Sequence, residues 1–251
     1  MHTLYKYVLC ALVSLAANQV WAQTANPDPD SERTVDFKWC GVFFGDTQPE
    51  IYINTNGQPE KLDIPPFQLS AVARYRGKNP MVIYAKRPGE KPGKPDVLEP
   101  IGSYQLDTDM SQVLLFFYPK GSGKIGVSPV RDDPSVYKQG KLRVINVTTA
   151  LIGLSVDRAK SQVQSGEVKY YELPETLTQV PIRYALMDGD SWQWKGSNFF
   201  RLPQRGRVTV VIAKTDADAF KAWGEDGKRY GNGELQVFSF DQPDEPQPTA
   251  K

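Results

Sequence analysis

The chain has 251 residues, 40% hydrophobic and 24% charged, with 30 basic and 29 acidic side chains and a net charge of +1. So even a balance carries no electrostatic footprint for nucleic acid or an anionic lipid surface. Its one histidine, His2, and one of its two cysteines, Cys10, stand at the extreme N-terminus. The body of the chain is left with Cys40 alone, which excludes Ser-His-Asp and Cys-His nucleophiles, His-based zinc helices and closed Cys/His zinc sites.

An apolar run from Tyr7 to Ala17 follows Lys6 and leads into Val20 and Ala22 at signal-peptidase spacing. This predicts a secretory signal over residues 1–22. The run is too short for the roughly 20 residues that span a bilayer, and Leu9 before Cys10 does not suit a lipoprotein site. The mature protein is therefore expected in the periplasm or outside the cell, with no membrane span and no disulfide, held together by its core alone. Losing Lys6 leaves basic and acidic residues equal in number.

Residues 23–36, polar and proline-bearing, are expected to be disordered, as is the tail at 243–251. Between them, short segments rich in Val, Ile, Phe and Tyr are punctuated by Gly, Pro and Asn, the signature of strands. Cys40, within "FKWCGVFF", is expected to be a buried, inert thiol. "IYINT", Asn56-Gly57 and "QPEKLDI" read as a hairpin with a type I′ turn, and Pro59 marks its return limb as an edge strand. "KRPGEKPGKP" is a stiff, solvated loop. "VLLFFY" and "VTVVIA", apolar on both faces, are central strands. "DADAFKAWGED" allows two turns of helix at most.

The pattern then repeats. Ile53-Asn54 falls on Ile145-Asn146 and Leu62 on Leu154. Farther along, Tyr75 falls on Tyr170, Tyr84 on Tyr184, Gly89 on Gly189 and Val113 on Val208, with the offset changing only in loops. The predicted fold is all-β: two tandem immunoglobulin-like β-sandwich domains related by internal duplication, over residues 37–133 and 134–242. The linker "VRDDPSVYKQG" is short enough for the two to pack together. "DDPSVYKQGKLRVINVT", with a later block ending "VTVVIAK", resembles uncharacterised two-domain secreted proteins of bacteria. That resemblance implies fold and export and carries no functional residues with it.

"MDGDSWQWKGSNFFRLP" is the segment richest in chemistry. Asp188 and Asp190 lack the further oxygens a calcium loop needs and read as a hairpin turn. Trp192 and Trp194, two apart on a strand, share a face: outward they form a platform for sugar rings, inward they are core. The "NVT" at Asn146 lies inside a predicted strand and is discounted as a glycosylation site. The acid pairs Asp107/Asp109 and Asp132/Asp133 lie in turn-like stretches where exposed carboxylates are ordinary, and no Ser-x-x-Lys opens a helix.

The expected function is an exported, non-enzymatic structural or protein-interaction module. It would act by edge-strand pairing or through a patch near the domain junction, without cofactor or metal. Its partner would be another envelope or surface protein, or a glycan, and not nucleic acid. The alternatives are a carbohydrate-binding protein using Trp192 and Trp194 and, behind it, a carboxylate-dependent hydrolase.

Overall fold

The computed structural model describes residues 31–42, 50–89, 93–121, 124–138, 140–174, 176–203, 206–214 and 235–242. The expected signal with Cys10, the short helix near residue 220 and the tail at 243–251 lie outside them. Among the described residues the chain is all-β. Its strands are β1 (Glu32–Gly41), β2 (Ile51–Thr55), β3 (Gln58–Leu62), β4 (Ala73–Lys78), β5 (Met81–Arg87), β6 (Val97–Tyr104), β7 (Gln112–Gly121) and β8 (Lys124–Arg131), followed by β9 (Lys141–Asn146), β10 (Ile152–Val156), β11 (Ala159–Val163), β12 (Val168–Glu172), β13 (Gln179–Asp188), β14 (Ser191–Arg201), β15 (Arg207–Lys214) and β16 (Leu235–Gln242). No described helix is long and apolar enough to cross a membrane.

The strands form four sheets, ordered β3-β2-β5-β6 and β4-β1-β7-β8 in the first half, β12-β9-β15-β16 and β11-β10-β13-β14 in the second. Each half closes its two sheets over its own core. Val35, Phe37, Ile51, Ile53, Met81, Ile83, Val113 and Leu115 meet in the first; Leu142, Val144, Ile152, Leu154, Ile182, Val210 and Ile212 meet in the second. Period-two side chains make this possible, because a strand that buries alternate residues presents one apolar face. β1 begins at Glu32, inside the stretch expected to be disordered, because a six-residue antiparallel ladder with β4 runs from Glu32↔Lys78 to Phe37↔Ala73. Asn56 and Gly57 both have positive φ, 52° and 76°, as a type I′ turn demands, and β3, which carries Pro59, is an edge strand.

The two halves repeat one topology strand for strand, including a parallel pairing of β1 with β7 and of β9 with β15. The register differs from that read in the sequence. Ile51 pairs with Ala85 and Ile53 with Ile83, while Ile152 pairs with Leu186 and Leu154 with Tyr184. Ile53 therefore matches Leu154 rather than Ile145, which belongs to β9, and Tyr184 matches Ile83 rather than Tyr84. Tyr75, buried in the first core, matches the inward Tyr171 rather than Tyr170, which is 38% exposed. A shared irregularity fixes these equivalences. The β5–β6 ladder slips between Ile83 and Tyr84 opposite Gly102, and the β13–β14 ladder slips between Tyr184 and Ala185 opposite Gly196.

A third apolar layer joins the halves. β7 sends Val113, Leu115 and Phe117 into the first core and Leu114 and Phe116 out of its other face. There they meet Ile145, Val147, Val211, Ala213 and Phe240 of the second half. β15 alternates in the same way, which accounts for the two-sided apolar character of both runs. Phe116 stacks on Phe240 with ring centroids 6.1 Å apart, and Phe238 meets Phe67 edge-on at 5.2 Å.

Beside this layer lies a buried polar cluster at the linker. Arg143, fully buried in β9, has its Nη1 2.7 Å from Asp132 Oδ1. It also donates to Thr209 Oγ1 at 3.1 Å and Gln242 Oε1 at 3.3 Å, while Gln242 Nε2 donates to Asp132 Oδ2 at 2.9 Å. The Tyr137 ring packs against two guanidiniums, its centroid 4.2 Å from Arg143 and 5.2 Å from Arg207.

Cys40 sits in the shared layer with no exposure. Burial pushes its thiol up to about 12, because a thiolate there would lose its solvation. Native protein at pH 8 is expected to resist a disulfide-exchange reagent such as DTNB and to react fully once unfolded in urea. Prompt labelling of the native state would contradict this burial.

Candidate functional site

The candidate site is the outward face of the sheet β11-β10-β13-β14. Along β13 the residues Val180, Ile182 and Tyr184 point into the second core, so Pro181, Arg183, Ala185 and Met187 point out. On β14, Trp192 pairs with Met187 and Trp194 with Ala185, which places both indoles on this outer face. They are 41% and 61% exposed. The turn between the strands is tight, with Gly189 at φ 57°. It is braced by Ser191 Oγ donating to Asp188 O at 3.3 Å and by Gln193 Nε2 donating to the Asp188 carboxylate.

Gly153 on β10 is part of the platform. A Cβ there would lie 3.0 Å from Trp192 Cζ3, although β13 separates β10 from β14. The Trp192 indole therefore reaches across β13 to the glycine.

Phe199, 71% exposed, joins the same face. Strict alternation from Trp192 and Trp194 would place Phe200 there instead. The bulge at Lys195 shifts the parity by one residue, so that Phe200 turns into the core and Phe199 turns out. Sequence periodicity had no access to this; the adjacent pair Phe199-Phe200 was the one available hint that one ring faces out.

The corresponding face of the first sandwich is built differently. Equivalent ladder positions place Tyr52 and Tyr84 where the second sandwich has Gly153 and Ala185, and Leu98 and Pro100 where it has Trp192 and Trp194. Its charges are mutually engaged: Glu50 accepts from Lys61 at 2.8 Å and from Tyr52 at 2.9 Å and lies 3.2 Å from Lys86. Those donors lower the Glu50 carboxyl from 4.5 to about 2. The fold tolerates either surface, so packing of the sandwich does not require the tryptophans.

The acid pairs take other roles. Asp132 and Asp133 are buried, not exposed turn residues as the sequence suggested. Asp132 faces Arg143, and Asp133 accepts from the Ser111 hydroxyl, from the Ser111 and Gln112 amides and from Arg131 Nε. These donors hold the Asp133 carboxyl below its usual value despite the opposing effect of burial. Asp109 is exposed and accepts from Arg131 at 2.9 Å, while Asp107 lies 3.8 Å from the same guanidinium. Asn146 is fully buried, its amide donating to Ala150 O and Val163 O at 2.8 and 2.9 Å. A hollow of about 430 Å³ beside Asn54, Arg76 and Tyr84 carries Arg76 3.8 Å from Glu32.

No protein-family model matches the chain, and no curated protein matches it.

Proposed function

We propose that the protein is an exported, non-enzymatic binding protein made of two immunoglobulin-like sandwiches that arose by duplication, and that it holds a glycan on the outer face of β13 and β14. One observation carries this reading: Trp192 and Trp194 share a single solvent-facing surface. They do so over Gly153 and Ala185, at positions where the first sandwich has Tyr52 and Tyr84. A half-exposed indole offers a planar apolar face to the C–H face of a sugar ring. Export rests on the N-terminal apolar run ending at Ala22. Duplication rests on the repeated strand order and the shared bulge.

A protein partner is the second reading. β14 is an edge strand of eleven residues among the described residues, the kind of edge to which a partner strand can add. The aromatic surface and the strand edge are separable by mutation.

Titrating the protein with polysaccharides is expected to change tryptophan fluorescence. Trp192→Ala and Trp194→Ala should each weaken binding by about tenfold or more, equivalent to about 1.4 kcal/mol, with the unfolding midpoint unchanged. Gly153→Val, which displaces the Trp192 ring, should weaken it as well. Polysaccharide binding that survives loss of both indoles would sink the assignment.

A further inference from the structure

Resting on the glycan reading, we propose that the ligand is an acidic polysaccharide, one whose sugars carry carboxylates as hexuronates. The outer face of the second sandwich presents three cations, Lys160 on β11, Arg183 on β13 and Arg201 on β14, all exposed. None of the three forms an ion pair or hydrogen bond among the described residues. No acid points outward from β10, β11, β13 or β14; of the nearest, Asp188 ends β13 at the rim and Asp157 and Asp190 stand in turns. On the first sandwich the equivalent surface neutralises its cations, Glu50 and Asp96 holding Lys86 at 3.2 and 2.9 Å. The two surfaces are otherwise the same sheet, so the uncompensated charge is a property of the aromatic face.

The cationic rows flank the Phe199 row, beyond the two tryptophans. Ladder partners place Arg183 beside Ser197, between the rows of Trp194 and Phe199, and Arg201 one row beyond Phe199. Rows on one face of a strand are about 7 Å apart, so the stripe runs from the consecutive rows of Trp192 and Trp194 to a row holding Arg183 and, across Ser155, Lys160, and then to Phe199 and Arg201. Cations in separate rows beside aromatic rows suit a polymer whose units carry both an anion and a free apolar ring face. A densely sulfated chain would need clustered cations. A polynucleotide would be drawn by a net positive field that a chain with 30 basic and 29 acidic residues lacks. A guanidinium matches a carboxylate with two parallel N–H donors, which Lys cannot do.

Full-length mature protein is titrated with polygalacturonate, dextran, dextran sulfate and oligo(dT), with tryptophan fluorescence as readout and circular dichroism to confirm folding of each variant. Polygalacturonate is expected to bind, more weakly as salt rises. Arg183→Gln and Arg201→Gln should each weaken it about tenfold, and Arg183→Lys should weaken it less. Dextran bound as tightly as polygalacturonate, with the arginine variants unaltered, overturns the acidic assignment and leaves the glycan reading standing. Tighter binding of dextran sulfate or oligo(dT) overturns the uronate assignment. No response to any polysaccharide removes the glycan reading and this inference together.

Discussion

Arg143→Met is expected to destabilise the protein by about 3–5 kcal/mol, the usual cost of removing one partner of a buried ion pair. The guanidinium is fully buried, and its Nη1 lies 2.7 Å from Asp132 Oδ1. That oxygen has no hydrogen bond in good geometry, so losing the arginine leaves a buried carboxylate held by Gln242 Nε2, with Arg207 bonded to the Asp132 backbone carbonyl rather than to the carboxylate. The Asp132→Asn/Arg143→Met double variant should recover much of the loss, because it removes both charges at once. Urea unfolding checks both values, and a single-variant loss below about 1 kcal/mol, the range of an exposed pair, would show that the cluster is solvated.

Phe116→Asp is expected to separate one unfolding transition into two. The wild-type protein should unfold as a unit, because β7 and β15 each belong to two cores and the shared layer ties the halves together. A carboxylate placed against Phe240 would have to enter an apolar layer unpaired, which is costly. Truncation alone, Phe116→Ala, should cost about 3–5 kcal/mol through the cavity it leaves. Calorimetry tests this directly: two resolved transitions in the wild-type protein would mean that the shared layer contributes little.

Where a local rule was enough, residues announced their structure. Asn56-Gly57 requires positive φ at both positions and has it. Pro59 cannot donate to a ladder and lies on an edge strand. The runs around Leu114 and Val211 have no polar face and are flanked by strands on both sides. Repetition was legible too, but its register was not. Short β motifs resemble one another, and Ile-Asn occurs once in β2 and once in β9, so similarity of letters aligned strands that occupy different places in their sandwiches. A one-residue error is enough to exchange the inward Tyr171 for Tyr170, since a strand changes face at every residue.

The site was half visible. Trp192 and Trp194 could be assigned to one face from their spacing, but which face depended on how β13 and β14 sit over the second core. Phe199 was hidden by the bulge. The exposed cations were hidden because charge in a sequence is counted, whereas their significance lies in having no counter-ion nearby.

The amino-acid sequence on its own determined the all-β class, the hairpin at Asn56, the central place of β7 and β15 and the existence of a repeat, because each follows from alternation or from backbone dihedrals within a few residues. Tertiary structure alone decided the register of the repeat, the burial of Asp132 with Arg143, the joint apolar layer and the outward turn of the aromatic stripe. Those depend on contacts between residues far apart in the chain, and on a parity that one inserted residue reverses.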